Sequence, residues 1–352
     1  MSYEIGTKII NLEMTERVGR IEYCSHEELI RKISGLDPAS ADPAEREKAQ
    51  RKFFQWVNYD LGWLNNDGPV PWDKLGRTTN MGHAAWMEGG TDFRDTFIYP
   101  FKTPEEVLSF DAVKEYGLPE TSERTNYFRE VHQKQQETYP DMLSTGGYYK
   151  TLVSGCIQTF GWDMFLMAVG TDPERFGKHV LESYYNLTLA NIKAWAKTDI
   201  KVFISHDDMV WSEGAIFNPE WYRKYIFPRY QKLWRPLKEA GIKILFCSDG
   251  NFTEFIDDIA AAGADGFMFE PMTDLEYIAA KYGKTHVIVG NADCRVLTFG
   301  TKEDIEKEVK RCMDTAKACP GFIMAVGNHI PPNIPLDNAF YYFDMVRKYG
   351  KR

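Results

Sequence analysis

Between residues 148 and 348 the chain repeats one pattern six times: a short, unbroken apolar run followed by a helical segment. The runs are residues 148–157 (YYKTLVSGCI), 200–205 (IKVFIS), 242–247 (IKILFC), 264–270 (ADGFMFE), 286–290 (HVIVG) and 321–326 (GFIMAV). A strand with one face in water alternates apolar and polar residues. These runs do not alternate, so they belong to parallel strands covered on both faces. Helical patterns follow over 162–169 and 173–197, from Asn218-Pro219 to about 240, and over 253–262, 274–282, 302–319 and 335–348. Proline in a first turn and Gly283 just past an end are the expected punctuation. A βα series of this length favours a (β/α)8 TIM barrel over an open doubly wound sheet. No GxGxxG follows a first strand, so a dinucleotide-binding fold has no support.

The first 140 residues are less regular. Residues 44–57 and 104–116 read as helices and 93–100 as a strand. This half is expected to supply the remaining barrel strands, with a helical and loop elaboration of about residues 1–90 over the mouth. No linker divides the chain, and residues 1–352 are expected to form one barrel domain.

Composition closes several possibilities. No apolar run approaches the roughly 20 residues of a membrane span, and the N-terminus lacks a basic start and apolar core, so a cytoplasmic protein without a membrane partner is expected. Net charge is −9 with the signs mixed, which argues against nucleic acid. The six cysteines form no CxxC pair and are expected as small buried hydrophobes. Aromatic content of 14% suggests an aromatic-walled pocket or a large core.

In a parallel barrel the chemistry sits at the C-terminal ends of the strands. Those ends carry His206-Asp207-Asp208, then Trp211; Cys247-Ser248-Asp249; Glu270; Asn291, Asp293 and Cys294; and Asn328-His329. An acid after a strand often caps the next helix instead, and that alternative stands for Asp249 and Asp293. Five consecutive ends converging on one rim point to a site. Mixed Cys, His and carboxylate donors suit Zn2+, although carboxylates also bind polar substrate groups without a metal. HxH, HExxH, P-loop and GxSxG patterns are absent, and no lysine stands at a strand end for a Schiff base.

The order of these motifs is also informative. DDM, WSEG, the long segment NPEWYRKYIFPRYQKLWRPLKEAGIKILFCSDGN, then ADGFMFEPMTDLEYIAAKYG, VIVGNADCRVLTFGTKEDIEKEVKR and GNHIPPNIPLDN together resemble the uroporphyrinogen decarboxylase-like superfamily over about residues 150–350. The resemblance implies one of two activities: decarboxylation of uroporphyrinogen, or methyl transfer to or from a corrinoid protein. Decarboxylases of this type carry an RQAGR-like segment whose arginines bind the tetrapyrrole carboxylates, and here only Arg20 of RVGRIEY matches it. Methyltransferases of the coenzyme M type bind zinc through HxCGN and a later GC. The corresponding positions read Cys247-Ser248-Asp249-Gly250-Asn251 and Gly327-Asn328-His329.

These replacements favour the branch that demethylates methoxylated compounds and passes the methyl group to a corrinoid protein. An acid–acid–His zinc pattern associated with some members of that branch loosely resembles Asp293, Glu308 and His329, and the converging rim of Cys247, Asp249, Asp293 and His329 could hold Zn2+ to stabilise the departing oxygen. His206 or His329, with Asp208, could instead be catalytic as proton donors. A substrate pocket could draw on His83, Trp86, Trp211, Glu270 and Asn291, the alternative for the aromatic residues being packing under the N-terminal elaboration. Cys247, Asp249, Asp293 and His329 are expected around one rim cavity, with His206 and Asp208 opposite. The implied partners are a corrinoid-binding protein, which carries the cobalamin-type cofactor, and a small methylated or methoxylated substrate. The competing readings are a decarboxylase and a non-catalytic barrel that binds a small molecule or a corrinoid partner.

Overall fold

A computed structural model describes residues 1–82 and 96–352. Its strands are β1 (Gly19–Arg20), β2 (Leu61–Gly62), β3 (Leu143–Ser144), β4 (Gly146–Tyr148), β5 (Val202–His206), β6 (Val210–Trp211), β7 (Gly214–Ala215), β8 (Lys243–Ser248), β9 (Gly266–Phe269), β10 (Val287–Val289) and β11 (Phe322–Met324). Seven of them form one parallel sheet in the order β1-β11-β10-β9-β8-β5-β4. β2 pairs with β3, also in parallel, and only Thr145 separates β3 from β4. The amide of Asp60 donates to the carbonyl of Arg20 at 2.9 Å, which links β1 to β2 and closes the ring. With β3 and β4 counted as one interrupted strand, eight strands surround the axis, and the fold is the expected TIM barrel. β6 and β7 form a small antiparallel hairpin beyond β5.

The apolar runs fill both faces of this sheet. Leu61, Leu143, Val202, Ile204, Leu245, Met268, Val287 and Ile323 point into the barrel. Their alternates, such as Phe203, Ile244, Phe246, Phe267 and Ile288, meet the helical layer. The helix Tyr3–Ile10 plugs the floor with Ile5, Ile9 and Ile10. It seats closely because residue 6 is glycine: a Cβ there would lie 2.2 Å from the carbonyl oxygen of Asp60. Residues 1–62 therefore supply a floor and two strands, where the sequence suggested a cover over the mouth.

Other differences have local causes. Residues 148–157 are not one strand: β4 ends at Tyr148 and the helix Leu152–Thr171 begins four residues later. An apolar run buried on all sides looks the same in either conformation. This helix is long and apolar enough to cross a membrane, yet 67% of its most apolar window is buried in the protein, so packing accounts for its composition. The segment from Pro219 is two helices, Pro219–Tyr225 and Phe227–Glu239, broken where Pro228 removes an amide donor. Residues 104–116 likewise divide into Pro104–Leu108 and Ala112–Tyr116, the second capped by the Asp111 carboxylate. Of the strand expected over 93–100, residues 93–95 lie outside the described residues and 96–100 form no strand. The 18-residue helix Thr121–Thr138 escapes sequence reading because only Thr125, Phe128 and His132 of it are buried.

Candidate active site

The barrel mouth opens on a cavity of about 470 Å3. Its floor is apolar, made by Ile21, Met268, Val289 and Ala325. The end of β5 organises one wall through strict alternation. His206 faces inward, Asp207 turns outward and Asp208 returns to the mouth. The register pairs His206 with Cys247 of β8, which brings thiol and imidazole side by side. Asp207 is fully buried and accepts from the amides of Val153 (2.9 Å) and Ser154 (2.7 Å) and from the Tyr230 hydroxyl (2.7 Å). It satisfies the first turn of Leu152–Thr171 and takes no part in the cavity.

His206 is held at both nitrogens. Nε2 lies 3.0 Å from Oδ1 of Asp208, and Nδ1 lies 3.1 Å from the Asn65 amide. Asp208 also accepts from the Tyr149 hydroxyl at 3.0 Å and from the Asp249 amide at 3.0 Å. Burial works against a charged His206, but the Cys247 sulfur and the Asp208 carboxylate outweigh it and raise the imidazole well above its ordinary value. Burial would raise Asp208 in turn; the charge of His206 and its hydrogen bonds bring it down to about 2. Burial pushes the Cys247 thiol up, so the carboxylate is the partner that keeps His206 charged. Enclosure by the mouth, then the charges of Asp208 and Glu270, raise Asp249 well above the carboxylate range. Its side chain still meets solvent at the rim, so like-charge crowding is the durable part of that shift. Across the cavity, burial lowers His329 to about 4, and its Nδ1 lies 2.7 Å from Oδ1 of Asn328. Asn328 donates to Glu270 at 2.9 Å, and Glu270 accepts from the Gly250 amide at 2.6 Å.

One nitrogen of His206 and one oxygen each of Asp208 and Asp249 lie within 4.8 Å of one another. The donor set fits a divalent cation of the Zn2+ type: mixed N and O ligands, a thiol adjoining, and crowded carboxylates whose repulsion a cation relieves. The structure thus places His206, Asp208, Cys247 and Asp249 on one side of the cavity and His329 on the other, which regroups the expected arrangement. Asp293 does not join them. It caps the helix Cys294–Phe299 and is paired with Arg295 at 2.7 Å. Glu308 binds the Asp293 amide and Arg311, so Asp293, Glu308 and His329 do not converge. Asn291 is fully buried and braces Glu270, Thr273 and Arg311. Glu270 bonds to Asn328 and to the Gly250 amide and does not itself line the cavity. Trp211, 49% exposed on the hairpin, packs edge-on to Trp162 away from the cavity. His83 and Trp86 lie outside the described residues.

Sequence reading missed Tyr23, Trp63, Asn65 and Tyr149. The first three follow β1 and β2, two-residue strands too short to show any period, and Tyr149 lay hidden inside an expected strand. Trp63 stands edge-on to His206 with centroids 6.0 Å apart, and Tyr23 packs against both Trp63 (6.2 Å) and His329 (5.8 Å).

Glu22 backs this wall. It is 5% exposed and accepts from the Val326 amide (2.9 Å) and the Tyr342 hydroxyl (2.7 Å). Burial nonetheless raises it from 4.5 to about 7. The folded state therefore holds this proton more tightly than the unfolded chain. The resulting stabilisation, about 3 kcal/mol, is complete below pH 4.5 and is lost as pH rises to about 7. Glu22→Gln should remove that decline, so variant and wild-type melting temperatures diverge in the variant's favour from pH 5 to 8. Parallel melting profiles over that range would assign the proton elsewhere.

The family model described as uroporphyrinogen decarboxylase (URO-D) matches residues 103–349. A uroporphyrinogen decarboxylase of Syntrophotalea carbinolica is 23% identical over 340 residues, which are 96% of this chain and 88% of the relative. One of Carboxydothermus hydrogenoformans is 30% identical over 175 residues, half of this chain and 47% of the relative. Among solved structures, a methyltransferase from Methanosarcina mazei shares the fold over 99% of both chains, with a TM-score of 0.69 and 17% identity.

Proposed function

The chain belongs to the uroporphyrinogen decarboxylase (URO-D) family, and from that premise we propose that it is a methyltransferase, moving the methyl group of a small methoxylated aromatic molecule to the cobalt of a corrinoid protein. The observation that carries this reading is the chemistry of the mouth. Three metal-type donors cluster there, and among the described residues no lysine or arginine lines the cavity. A tetrapyrrole bearing many carboxylates calls for cations in its pocket; this one is lined by the acids Asp249 and Glu22, with Asp208 beside it on His206.

Cobalt(I) supplies the electron pair of the new Co–C bond. The C–O bond pair leaves with the ether oxygen, which takes a proton from solvent to give the phenol. A Zn2+ ion held by His206, Asp208 and Asp249, with Cys247 adjoining, would supply Lewis-acid stabilisation of that oxygen. The chain's own residues prepare the reaction. Trp63 and Tyr23 offer aromatic faces for the ring, and the floor of Ile21, Met268 and Val289 excludes water around the methyl group. Asn65 fixes the orientation of His206 through Nδ1, so that Nε2, bonded to Asp208 in the metal-free protein, is the nitrogen that would face the ion, and Asn328 fixes the orientation of His329.

The test uses the purified protein with chemically reduced cob(I)alamin and a panel of methoxyaromatics and methylamines, with methylcobalamin followed by absorbance and metal content by elemental analysis. Methyl transfer from a methoxyaromatic by metal-loaded protein is the expected result. Decarboxylation of uroporphyrinogen without methyl transfer would replace this reading with the decarboxylase one.

A further inference from the structure

We propose that the flank of the barrel beside the starts of β1 and β2, away from the mouth, carries a binding site for a small tetrahedral oxyanion, phosphate or the phosphate end of a monoester, built on Arg20. Side chains alternate at the end of β1: Ile21, just past the strand, enters the barrel interior, and Arg20 turns outward. Arg20 is only 5% exposed. Its backbone amide donates to Asp60 at 3.1 Å, yet its guanidinium makes no hydrogen bond or ion pair among the described residues, and Nη1 is sealed from solvent without a partner. Neither neighbouring carboxylate is bonded to it: Arg17 holds Asp60 through two bonds of 2.6 and 2.8 Å, and Glu22, whose charge favours the guanidinium, is bonded instead to the Val326 amide and the Tyr342 hydroxyl.

Burying an arginine unpaired costs several kcal/mol, and charged side chains are rarely buried without a partner. Burial lowers this guanidinium to about 10, which leaves it charged at neutral pH. The side chain faces a cavity of about 180 Å3 lined also by Arg17, Asn58, Arg347 and Lys351, with no carboxylate in the lining. Arg347 is fixed by Asp344, by the carbonyl of Trp56 at 2.8 Å and by the Trp56 ring at 3.9 Å. Arg20 and exposed Lys351 are left as the surplus cations. The cavity is smaller than the roughly 300–1,000 Å3 that drug-sized ligands occupy. A guanidinium fork beside an ammonium matches an oxyanion in shape and charge. Such an anion would tie β1 to the C-terminal residues and to the end of the helix Pro43–Val57. The competing role for Arg20 is to face the carbonyl ends of the two helices that stop at Asn58 and Gly350.

Thermal unfolding and calorimetric titration of the full chain distinguish these roles, in phosphate against chloride at matched pH and ionic strength, with phenyl phosphate as the monoester arm. The expected result is one phosphate per chain and a saturable rise in melting temperature. Arg20→Met should melt above the wild type in chloride, because an unpaired buried charge is gone, and should not respond to phosphate. Lys351→Gln, at an exposed position, should fold as the wild type and bind phosphate about tenfold more weakly. Binding of phenyl phosphate alone would assign the site to a monoester. A wild type indifferent to both ligands, or both variants responding to phosphate as the wild type does, overturns the proposal. Destabilisation of Arg20→Met in every buffer, with phosphate binding unchanged in Lys351→Gln, would assign Arg20 to the helix ends.

Discussion

If the proposed methyl transfer and metal site hold, Asp249→Ala and Asp208→Asn are each expected to lower methyl transfer by about three orders of magnitude and to leave the purified protein without bound metal. The size follows from what a Lewis acid contributes at a departing oxygen: several kcal/mol, where about 4 kcal/mol is a thousandfold in rate. Asp249→Ala removes, and Asp208→Asn neutralises and weakens, one of three donors that lie within 4.8 Å of one another. Asp208→Asn also removes the charge that holds His206 protonated in the metal-free protein. Asp249 stands at the solvent-facing rim, so its loss should move the melting temperature little. The measurement is metal per chain together with the rate of methylcobalamin formation. Full activity and unchanged metal content in both variants would remove these residues from the site. Lost activity at unchanged metal content would move the metal elsewhere and leave the two carboxylates as substrate-binding groups.

Asp207→Ala, one residue away, should do the opposite: cost about 4 kcal/mol of stability through the structure behind the site. The wild-type carboxylate accepts from two backbone amides and one hydroxyl, all buried. Bonds to a charged acceptor contribute about 1.5–3 kcal/mol each, and a buried donor left without a partner costs about 1–3 kcal/mol. Alanine leaves three such donors. Asp207→Asn should recover most of the loss, because Oδ1 carries the shorter bonds to both amides and the Tyr230 hydroxyl can turn to accept from the new amide. A melting temperature lowered by roughly 5–10 °C for alanine, with asparagine between it and the wild type, is the expected order. An alanine variant that melts with the wild type would show that the helix Leu152–Thr171 needs no such anchor.

The contrast between these two aspartates shows what could be read in advance. The series β5, β8, β9, β10 and β11 was legible because strands buried on both faces must be continuously apolar, and the parallel connection forces each following loop to the same rim. His206, Cys247, Asp249 and His329 could therefore be named as rim residues from position alone. β1 and β2 are two residues long and hold their places through Asp60, Arg17 and the floor helix. With no period to detect, Tyr23, Trp63 and Asn65 stayed invisible.

By itself the sequence determined the barrel, the family resemblance and the rim on which chemistry is possible, since these depend on the order of elements and the periodicity of burial, both local properties. Which rim residues meet was decided only in the tertiary structure. Asp293 lies within bonding distance of Arg295 and is drawn out of the cavity, Asp207 and Asp208 are sent to opposite faces by the pleat of one strand, and Asn65 reaches His206 across 141 positions of sequence. Pairing of side chains depends on distances of a few ångströms between segments far apart in the chain, and no local pattern encodes those distances.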